Sequence, residues 1–303
     1  MAIKMKDLSN EELLHHGSPG CPGCGAYLGL KLALKMLGPK TIVINPTGCI
    51  SACTLYGNTK VPFFHPLFNN AAAVASGIDA GLDMLGKRDD VNVLIYGGDG
   101  GTADIGLQAL SGAVERGHNL IYICYDNESY MNTGSQRSGT TPFAASTSTT
   151  PAGERSVGEE RPFAQRKDMV EIIKAHGAPY VASASIGYAL DYMEKVKKAA
   201  LIKGPTYIHL HATCPTGWGV DSKYTVEVAR QAVRCGMIVL REVENGLQRV
   251  TIAPKKIVDV VEYLKSQRRF RHIKDNAEVI GEFRSFVKSQ LTSFGIDGKE
   301  LQG

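Results

Sequence analysis

Four cysteines of this chain stand where thiolates would be able to bind a metal ion or an iron–sulfur cluster. Cys21 and Cys24 form a C-x-x-C pair within GCPGCG, and Cys49 and Cys214 each follow a predicted strand. Four thiolates can hold tetrahedral zinc or a 4Fe-4S cluster. A redox dithiol is the third possibility, because the C-x-x-C form lowers thiol pKa values in redox proteins. The spacing alone leaves zinc and a cluster about equally favoured.

The other three of the seven cysteines have simpler interpretations. Cys124 lies within a predicted strand and Cys235 within a predicted helix, so both are expected to be small buried apolar residues. Cys53 follows Cys49 by four residues and is the reserve candidate for a ligand. Since the sequence has no recognisable export signal, free thiols or ligands are favoured over structural disulfides.

A glycine-rich segment, GGDGGTADIG at 97–106, directly follows a predicted strand. Glycines let the backbone approach a bound group closely, and the first N–H groups of a following helix favour phosphate. Asp99 places a carboxylate beside that anion site, which is repulsive unless a divalent cation lies between them. Asn127 comes 28 residues later, after the next strand, so one strand-helix-strand unit brings it beside Asp99 as a second oxygen ligand. Together they predict Mg²⁺ bridging a diphosphate.

A parallel sheet would bring the cysteine-bearing and glycine-rich segments together at one edge. Short β-branched runs alternate with longer amphipathic stretches, which is typical of parallel strands joined by crossover helices. The sequence therefore predicts an α/β fold, a doubly wound and mainly parallel sheet with helices on both faces and ligands beyond the carboxyl ends of its strands. The predicted strands are 41–45, 91–96, 119–125, 180–185, 206–212 and 237–243, and the predicted helices are 26–37, 69–85, 106–115, 169–177 and 189–204.

Two further segments set the domain organisation. Residues 138–166 are rich in Ser, Thr, Gly and Pro without periodicity, and a loop of that length is usually a lid or an interface arm. Two helices are predicted after residue 250, over 254–273 and 277–291. We expect residues 1–250 to form the cofactor-binding domain and residues 251–303 a helical extension that packs on it or on a partner subunit.

The composition excludes several classes of function. The chain of 303 residues has a formal net charge of +4, and its basic residues are spread out except for Arg268, Arg269 and Arg271. A nucleic-acid-binding surface is normally denser in charge, so no nucleic acid is expected. Since no apolar run reaches the roughly 18 residues of a membrane span, a cytoplasmic location is expected. The arginine cluster is either a solvated surface or a docking site for an acidic ferredoxin.

The motifs taken together resemble the β subunits of the 2-oxoacid:ferredoxin oxidoreductase family, in particular those of its multi-subunit pyruvate enzymes. The GDG motif with its distant asparagine is similar to the thiamin diphosphate motif. The resemblance covers most of the chain up to about residue 250, through the segments CPGCGA (21–26), TGC (47–49), NAAAVASG (70–77), GGDGGTADIG (97–106), YDNESYMNTGSQRS (125–138), KGP (203–205) and CPTGWG (214–219).

This resemblance implies a thiamin diphosphate-binding fold, Mg²⁺ and one 4Fe-4S cluster near the thiazolium ring, and so favours the cluster over zinc. It implies that Asn132 lies near the reacting carbon and is the catalytic residue of this chain. The implied cluster ligands are Cys21, Cys24, Cys49 and Cys214. The implied Mg²⁺ ligands are Asp99, Asn127 and the carbonyl oxygen of Ser129, and the other implied cofactor-binding residues are Gly48, Cys49, Gly98, Gly100 and Gly101.

The resemblance also implies partners. Oxidative decarboxylation of a 2-oxoacid, pyruvate with CoA in the pyruvate enzymes, would pass electrons to ferredoxin. The glutamate that activates thiamin would come from another subunit, which would also form the substrate and CoA pocket, and a ferredoxin-like subunit would hold further clusters. Asn69 and residues 146–160 depart from the family pattern, so oxalate, phenylglyoxylate or 2-oxoglutarate stays possible as the substrate. A non-redox thiamin-dependent decarboxylase with structural zinc is the other alternative.

Overall fold

An eight-stranded sheet lies at the centre of the residues that the structure describes, which are 3, 8–55, 58–151 and 166–296 of a computed structural model. The strand order is β2-β1-β3-β4-β6-β5-β7-β8; the strands from β2 to β5 in this order are parallel, and β7 and β8 are antiparallel. The strands are β1 (Thr41–Ile44), β2 (Phe63–Phe64), β3 (Asn92–Gly98), β4 (Ile121–Asp126), β5 (Tyr180–Ser185), β6 (Thr206–His211), β7 (Leu240–Glu244) and β8 (Leu247–Ile252).

Helices cover both faces of this sheet. They are α1 (Gly25–Leu37), α2 (Cys49–Thr54), α3 (Ala71–Met84), α4 (Leu107–Glu115), α5 (Met169–Ala175), α6 (Ala189–Leu201), α7 (Pro215–Trp218), α8 (Thr225–Arg234), α9 (Val260–Lys265) and α10 (Ala277–Ser293). Alternate residues of one strand point to opposite faces. In β3, Leu94 and Tyr96 therefore pack with α1 and α6, whereas Val93 and Ile95 pack with α3, α4 and α5. The predicted doubly wound α/β fold is confirmed.

The antiparallel edge of the sheet differs from the prediction. The run 237–243 becomes β7 only from Leu240. It runs antiparallel because α8 packs against the turn that follows β5, as the close approach of Gly187 to the Arg230 backbone shows, so the chain enters β7 from the carboxyl end of the sheet. β8 was not predicted, although Asn245 and Gly246 both have positive φ and form the Asn-Gly hairpin turn that joins it to β7.

The C-terminal helices share a third core cluster with residues from earlier in the chain. Side chains of α9 and α10 pack with those of α8 and with Trp218. The predicted helix over 254–273 is divided, since α9 ends at Lys265 and a 3₁₀-helix, Arg268–Ile273, follows it. The predicted boundary at residue 250 falls within β8. The division of the chain at that point stays a prediction.

Two remaining predictions concern the membrane and the long loop. None of the described helices is both long enough and apolar enough to cross a lipid bilayer. Of the predicted loop 138–166, the segment 152–165 lies outside the described residues. The described part of that loop, from residue 138 to residue 151, contacts the Asp99 carboxylate through Ser138 and Thr140.

Candidate functional site

Four adjacent parallel strands place the predicted site residues at one edge of the sheet. β1, β3, β4 and β6 are neighbours in this order, and their carboxyl ends lead to Gly48, Asp99, Asn127 and Cys214. The chain order reverses between β1 and β3, and such a switch point opens a crevice in doubly wound sheets. The site lies at that crevice, as the sequence predicts.

A cavity of about 170 Å³ lies in this crevice. The nine residues predicted to bind the cofactor all line it: Gly48, Cys49, Gly98, Asp99, Gly100, Gly101, Asn127, Ser129 and Asn132. The sequence did not single out the aromatic residues Phe68 and Tyr130, which also line the cavity and contact each other with ring centroids 5.8 Å apart. After Asp99 the chain forms a single π-helical turn, Gly100–Asp104, a conformation frequent at functional sites.

Three oxygen-bearing groups converge beside Asp99. The side-chain amide of Asn127 lies 3.0 Å from Asp99 Oδ1 and 2.9 Å from the carbonyl oxygen of Ser129. Without a cation the amide NH₂ group would face both acceptors. If the amide oxygen faces them instead, it lies about 3 Å from each of the other two oxygens, which is the spacing of adjacent ligands around Mg²⁺ with its roughly 2.1 Å bonds. These residues therefore fit the predicted Mg²⁺ ligand set.

The carboxylate of Asp99 is held by hydroxyl groups from the long loop. Ser138 Oγ donates to Asp99 Oδ2, and Thr140 Oγ1 lies 3.0 Å from Asp99 Oδ2 and 2.9 Å from Asp126 Oδ1. Burial raises the pKa of Asp99 well above its ordinary value, and the nearby Asp126 carboxylate raises it further. Asp126 is also buried, but a 2.8 Å hydrogen bond with His209 helps to lower its pKa. Asp99 is thus positioned by its neighbours yet protonated more readily than an ordinary carboxylate.

Three of the four predicted cluster ligands lie at helix N-termini. Cys24 caps α1 and its Sγ accepts a hydrogen bond from the Tyr27 N–H, and Cys214 caps α7 and accepts one from the Gly217 N–H. Cys49 is the first residue of α2. A helix N-terminus stabilises a thiolate through its partial positive charge and free N–H groups. These positions direct helix N–H donors at two of the sulfur atoms, Cys24 and Cys214, although burial opposes their ionisation.

The glycines of GCPGCG allow this segment to dock on the end of β6. The Gly25 N–H donates to the Thr213 carbonyl oxygen, and a β-carbon on Gly25 would lie only 2.7 Å from that oxygen. This backbone contact joins the residues that follow Cys24 and precede Cys214. Alanine at position 25 would separate the two cysteine-bearing segments.

The thiols affect one another's pKa values, but the described side chains are not arranged as a complete set of metal ligands. Burial, with a smaller contribution from the nearby Cys214, raises the pKa of Cys24 to about 11. Burial and then Cys214, Cys24 and Cys21 raise the pKa of Cys49. Among the described residues, no three Cys, His, Asp or Glu side chains are arranged to hold a metal ion. The buried sulfur atoms therefore stay protonated unless a cation is bound, and the ligand set stays a prediction.

A buried ion-pair cluster behind the cavity was missed in the sequence. Glu128 stands between Asn127 and Ser129 with a positive φ of 65°, and its carboxylate pairs with Arg269 and Arg166. The Arg269 guanidinium stacks 4.0 Å from the Trp218 ring centre. Trp218 in turn donates a 2.9 Å hydrogen bond to the Asn127 carbonyl oxygen. The cluster thus links the turn that carries Asn127 and Ser129 to α7, and no local sequence signal marks it.

Comparison with known proteins agrees with this geometry. The family described as thiamine pyrophosphate enzyme, C-terminal TPP binding domain, matches residues 46–210, which include the three segments after β1, β3 and β4 and the whole of β6 except its last residue. Thiamine pyrophosphate is thiamin diphosphate. Pyruvate synthase subunit PorB of Methanothermobacter thermautotrophicus is 56% identical over 94% of this chain and 99% of that protein.

A second relative agrees with the same family, and a solved structure agrees in fold. Ketoisovalerate oxidoreductase subunit VorB of Pyrococcus horikoshii is 45% identical over 89% of each chain. In fold, the chain resembles a 2-oxoglutarate:ferredoxin oxidoreductase from Magnetococcus marinus, with a TM-score of 0.58 and 24% identity over 76% of this chain and 84% of that one. The chain therefore belongs to the thiamin diphosphate-dependent 2-oxoacid:ferredoxin oxidoreductases, in the family of the PorB subunits of pyruvate synthase.

Proposed function

We propose that this chain is the subunit that binds thiamin diphosphate, Mg²⁺ and one 4Fe-4S cluster in a pyruvate:ferredoxin oxidoreductase. With its partner subunits it converts pyruvate and CoA to acetyl-CoA and CO₂, reversibly, and passes two electrons to ferredoxin. The observation that carries the proposal is the convergence of all nine predicted cofactor-binding residues on one cavity, beside three cysteines at helix N-termini.

Each group around the cavity has a defined task in this proposal. Asp99, Asn127 and the Ser129 carbonyl would hold Mg²⁺, and backbone N–H groups at Gly98, Gly100 and Gly101 would bind the diphosphate. The bound cofactors supply the carbanion chemistry and the electron acceptor. The side chain of Asn132 is exposed at the cavity and would orient the substrate by hydrogen bonding.

The four cysteines favour the cluster over the zinc alternative on functional grounds. Cys49 lines the same cavity as Asp99. A cluster held by Cys49 would therefore lie beside the site where the substrate loses electrons. A structural zinc site would have no need to share that cavity. The N–H donors to Cys24 and Cys214 would stabilise thiolates that hold the cluster.

A partner subunit is needed to complete the cavity. Among the described residues that line it there is no glutamate, and the nearby Glu128 is paired with arginines instead. Exposed apolar side chains stand on the segments around the cavity, with Phe64 48% exposed, Leu67 72% and Ile105 47%. Such residues are typical of a permanent protein interface. A subunit docked there would supply the activating glutamate and the substrate and CoA pocket.

The choice of pyruvate rests on the 56% identical relative, a pyruvate synthase subunit, and the VorB relative keeps a branched 2-oxoacid open. An assay of the intact complex with CoA and a low-potential acceptor, against pyruvate, ketoisovalerate and 2-oxoglutarate, tests the substrate. Pyruvate should give the highest kcat/KM. A higher value for another acid would replace pyruvate but keep the reaction class.

Cys24→Ser tests the role of the cluster. In the intact complex this variant should lose most of its iron, sulfide and ferredoxin reduction and keep its thiamin diphosphate, because the thiol is not among the residues lining the cofactor cavity. Cys235→Ser is the matched control, since that buried thiol lies at the end of α8. Zinc in the wild-type complex in place of iron and sulfide would instead support the non-redox decarboxylase.

A further inference from the structure

Glu128 stands in the turn between two predicted Mg²⁺ ligands with a backbone conformation that favours glycine. Its φ is 65°, which is uncommon for a residue with a long side chain. With this conformation the Asn127 side chain lies 2.9 Å from the Ser129 carbonyl oxygen and 3.0 Å from Asp99 Oδ1. Strained backbone at a functional site persists only where surrounding contacts fix it. A glutamate in place of a glycine here indicates that its side chain supplies such contacts.

The Glu128 side chain points away from the cofactor cavity into a set of buried cations. Its carboxylate pairs with Arg269 and, at 3.3 Å, with Arg166. The Arg269 guanidinium is also held by a 2.9 Å hydrogen bond to the Gln267 side chain, and it stacks 4.0 Å from the Trp218 ring centre. Among the described residues that line the cofactor cavity, none is Glu128, Arg269 or Trp218. Any effect of these three on the cavity therefore passes through the turn.

Trp218 closes these contacts into a ring. Its fully buried indole N–H donates a 2.9 Å hydrogen bond to the Asn127 carbonyl oxygen, and its backbone N–H donates one of 2.9 Å to the Cys214 carbonyl oxygen. The contacts thus run from Asn127 through Trp218 and Arg269 back to Glu128, the next residue in the chain. Buried polar networks whose members are all satisfied make a structure rigid. The turn is therefore anchored to the helical turn that follows Cys214.

Three successive carbonyl oxygens of this turn have different environments. The Asn127 carbonyl oxygen accepts from Trp218, and the Glu128 carbonyl oxygen accepts a 2.8 Å hydrogen bond from Thr141 Oγ1. The Ser129 carbonyl oxygen instead faces the Asn127 side chain, where the cation would bind. Donors from the surrounding protein thus hold the first two carbonyl groups and orient the third toward the cation site. The ligand geometry is fixed by residues outside that site.

We propose that Glu128, Arg269 and Trp218 form a positioning triad that holds the Mg²⁺ ligands Asn127 and Ser129 in place before the cation binds. The inference deepens the proposed function and rests on it for the identity of the cation. Groups that orient metal ligands from behind typically change metal affinity by about ten- to a hundredfold when they are removed. The positioning triad therefore sets the affinity for the cation, while the residues of the cavity contact the cofactor and the substrate.

Binding of Mn²⁺ to the intact complex, freed of Mg²⁺ and saturated with thiamin diphosphate, tests the proposal without turnover. The EPR signal of free Mn²⁺ gives the Kd. Trp218→Phe keeps an aromatic ring beside Arg269 but removes the N–H donor to Asn127, and it should raise the Kd at least about tenfold. The matched control, Tyr192→Phe, removes a buried 3.1 Å hydrogen bond from an aromatic side chain to the Gly29 carbonyl oxygen, between α6 and α1. It should leave the Kd within about twofold.

A second pair of variants tests the carboxylate of the positioning triad. Glu128→Gln keeps the shape of the side chain but removes its charge, and it should also raise the Kd for Mn²⁺ at least about tenfold. Its matched control is Glu242→Gln, because Glu242 is likewise buried and pairs with two cations, Lys198 and Arg249, but lies on β7. This control should leave the Kd within about twofold.

Iron content and the Mg²⁺ dependence of the rate separate positioning from general stability. Trp218→Phe should keep its iron and sulfide, because the backbone N–H that bonds the Cys214 carbonyl oxygen does not depend on the side chain. The Mg²⁺ concentration for half-maximal rate should rise about tenfold, while kcat at saturating Mg²⁺ stays within about threefold.

The outcomes distinguish failure of this inference from failure of the proposed function. Unchanged Mn²⁺ binding in either Trp218→Phe or Glu128→Gln would overturn the positioning triad. Equal weakening in a matched control, or loss of iron together with the affinity for Mn²⁺, would also overturn it, since these residues would then serve stability alone. If the wild-type complex binds no Mn²⁺ in the presence of thiamin diphosphate, the proposed function fails, and this inference fails with it.

Discussion

Acid should destabilise this protein through His211, at the end of β6. This side chain is only 1% exposed, and neither ring nitrogen has a hydrogen-bond partner among the described residues. The nearest carboxylate oxygen, Oε1 of Glu128, lies 3.8 Å from Nε2, beyond hydrogen-bonding distance. Burial therefore dominates and lowers the pKa of His211 from 6.5 to about 3. The folded protein keeps this imidazole neutral, whereas the unfolded chain protonates it below its ordinary pKa.

The sign and size of the effect follow from proton linkage. Between pH 6.5 and 3 the unfolded chain binds one proton more at His211 than the folded protein does, so stability falls as the pH falls through this window. At pH 5.0 the unfolded state gains about 2 kcal/mol relative to its value at pH 7.5, from 1.36 kcal/mol per pH unit over about 1.5 units. The result changes little if the folded pKa is 4 instead of 3, because pH 5.0 lies above both.

Urea unfolding of the purified chain at pH 5.0 and 7.5 measures this difference. In His211→Phe, the loss of stability on going to pH 5.0 should be smaller than in the wild type by about 2 kcal/mol. The exposed His176 provides the control, and His176→Asn should follow the wild-type profile. In NMR spectra of the folded protein, the His211 ring signal should not titrate between pH 5 and 8. Parallel pH profiles for wild type and His211→Phe would refute the reasoning.

Two further predictions concern the buried arginine and the glycine-rich turn. Arg269→Met breaks a buried ion pair and should cost about 3–5 kcal/mol in urea unfolding, whereas Arg268→Met at an exposed position should stay within about 0.5 kcal/mol; equal costs would contradict the assigned burial. Gly100→Ala places a β-carbon 2.5 Å from the Tyr130 ring and should weaken thiamin diphosphate binding to the intact complex by at least about tenfold in calorimetry. Gly281→Ala has open space in α10 and should instead stabilise the chain by about 0.5–1 kcal/mol, with unchanged cofactor binding.

The parts of the fold that the sequence predicts well are those set by local pattern. The β-branched runs of β1, β3, β4, β5 and β6 are buried on both faces, so they stand out as continuous apolar segments. The 28-residue interval between Asp99 and Asn127 places them on neighbouring strands because a single crossover helix, α4, fits within it. The edge strand β8 is half exposed and mixed in composition, so only its Asn-Gly turn indicates it.

The parts that the sequence does not predict depend on contacts between distant residues. Ser138 and Thr140 lie 39 and 41 residues from Asp99, and nothing in their local sequence indicates which carboxylate their hydroxyls will reach. Arg268, Arg269 and Arg271 look equivalent in sequence. In the structure a 3₁₀-helix turns only Arg269 toward Glu128, 141 residues away, and leaves the other two in solvent. Tertiary packing decides such differences.

Asp99 and three of the cysteines share one electrostatic property, a pKa raised by burial, although different sequence patterns pointed to them. Asp99 was chosen for its place among glycines, and Cys24, Cys49 and Cys214 for their spacing. In all four, burial is the largest cause of a raised pKa. Burial thus favours the neutral form of a carboxylate and of thiols that must be deprotonated to bind a metal, although hydroxyl and N–H donors are already aimed at three of them. Such donors favour the charged form, and burial opposes it. A bound cation would stabilise the deprotonated groups in their buried positions and keep their hydrogen-bond donors. We therefore expect cofactor binding to release protons and to make this edge of the sheet more rigid.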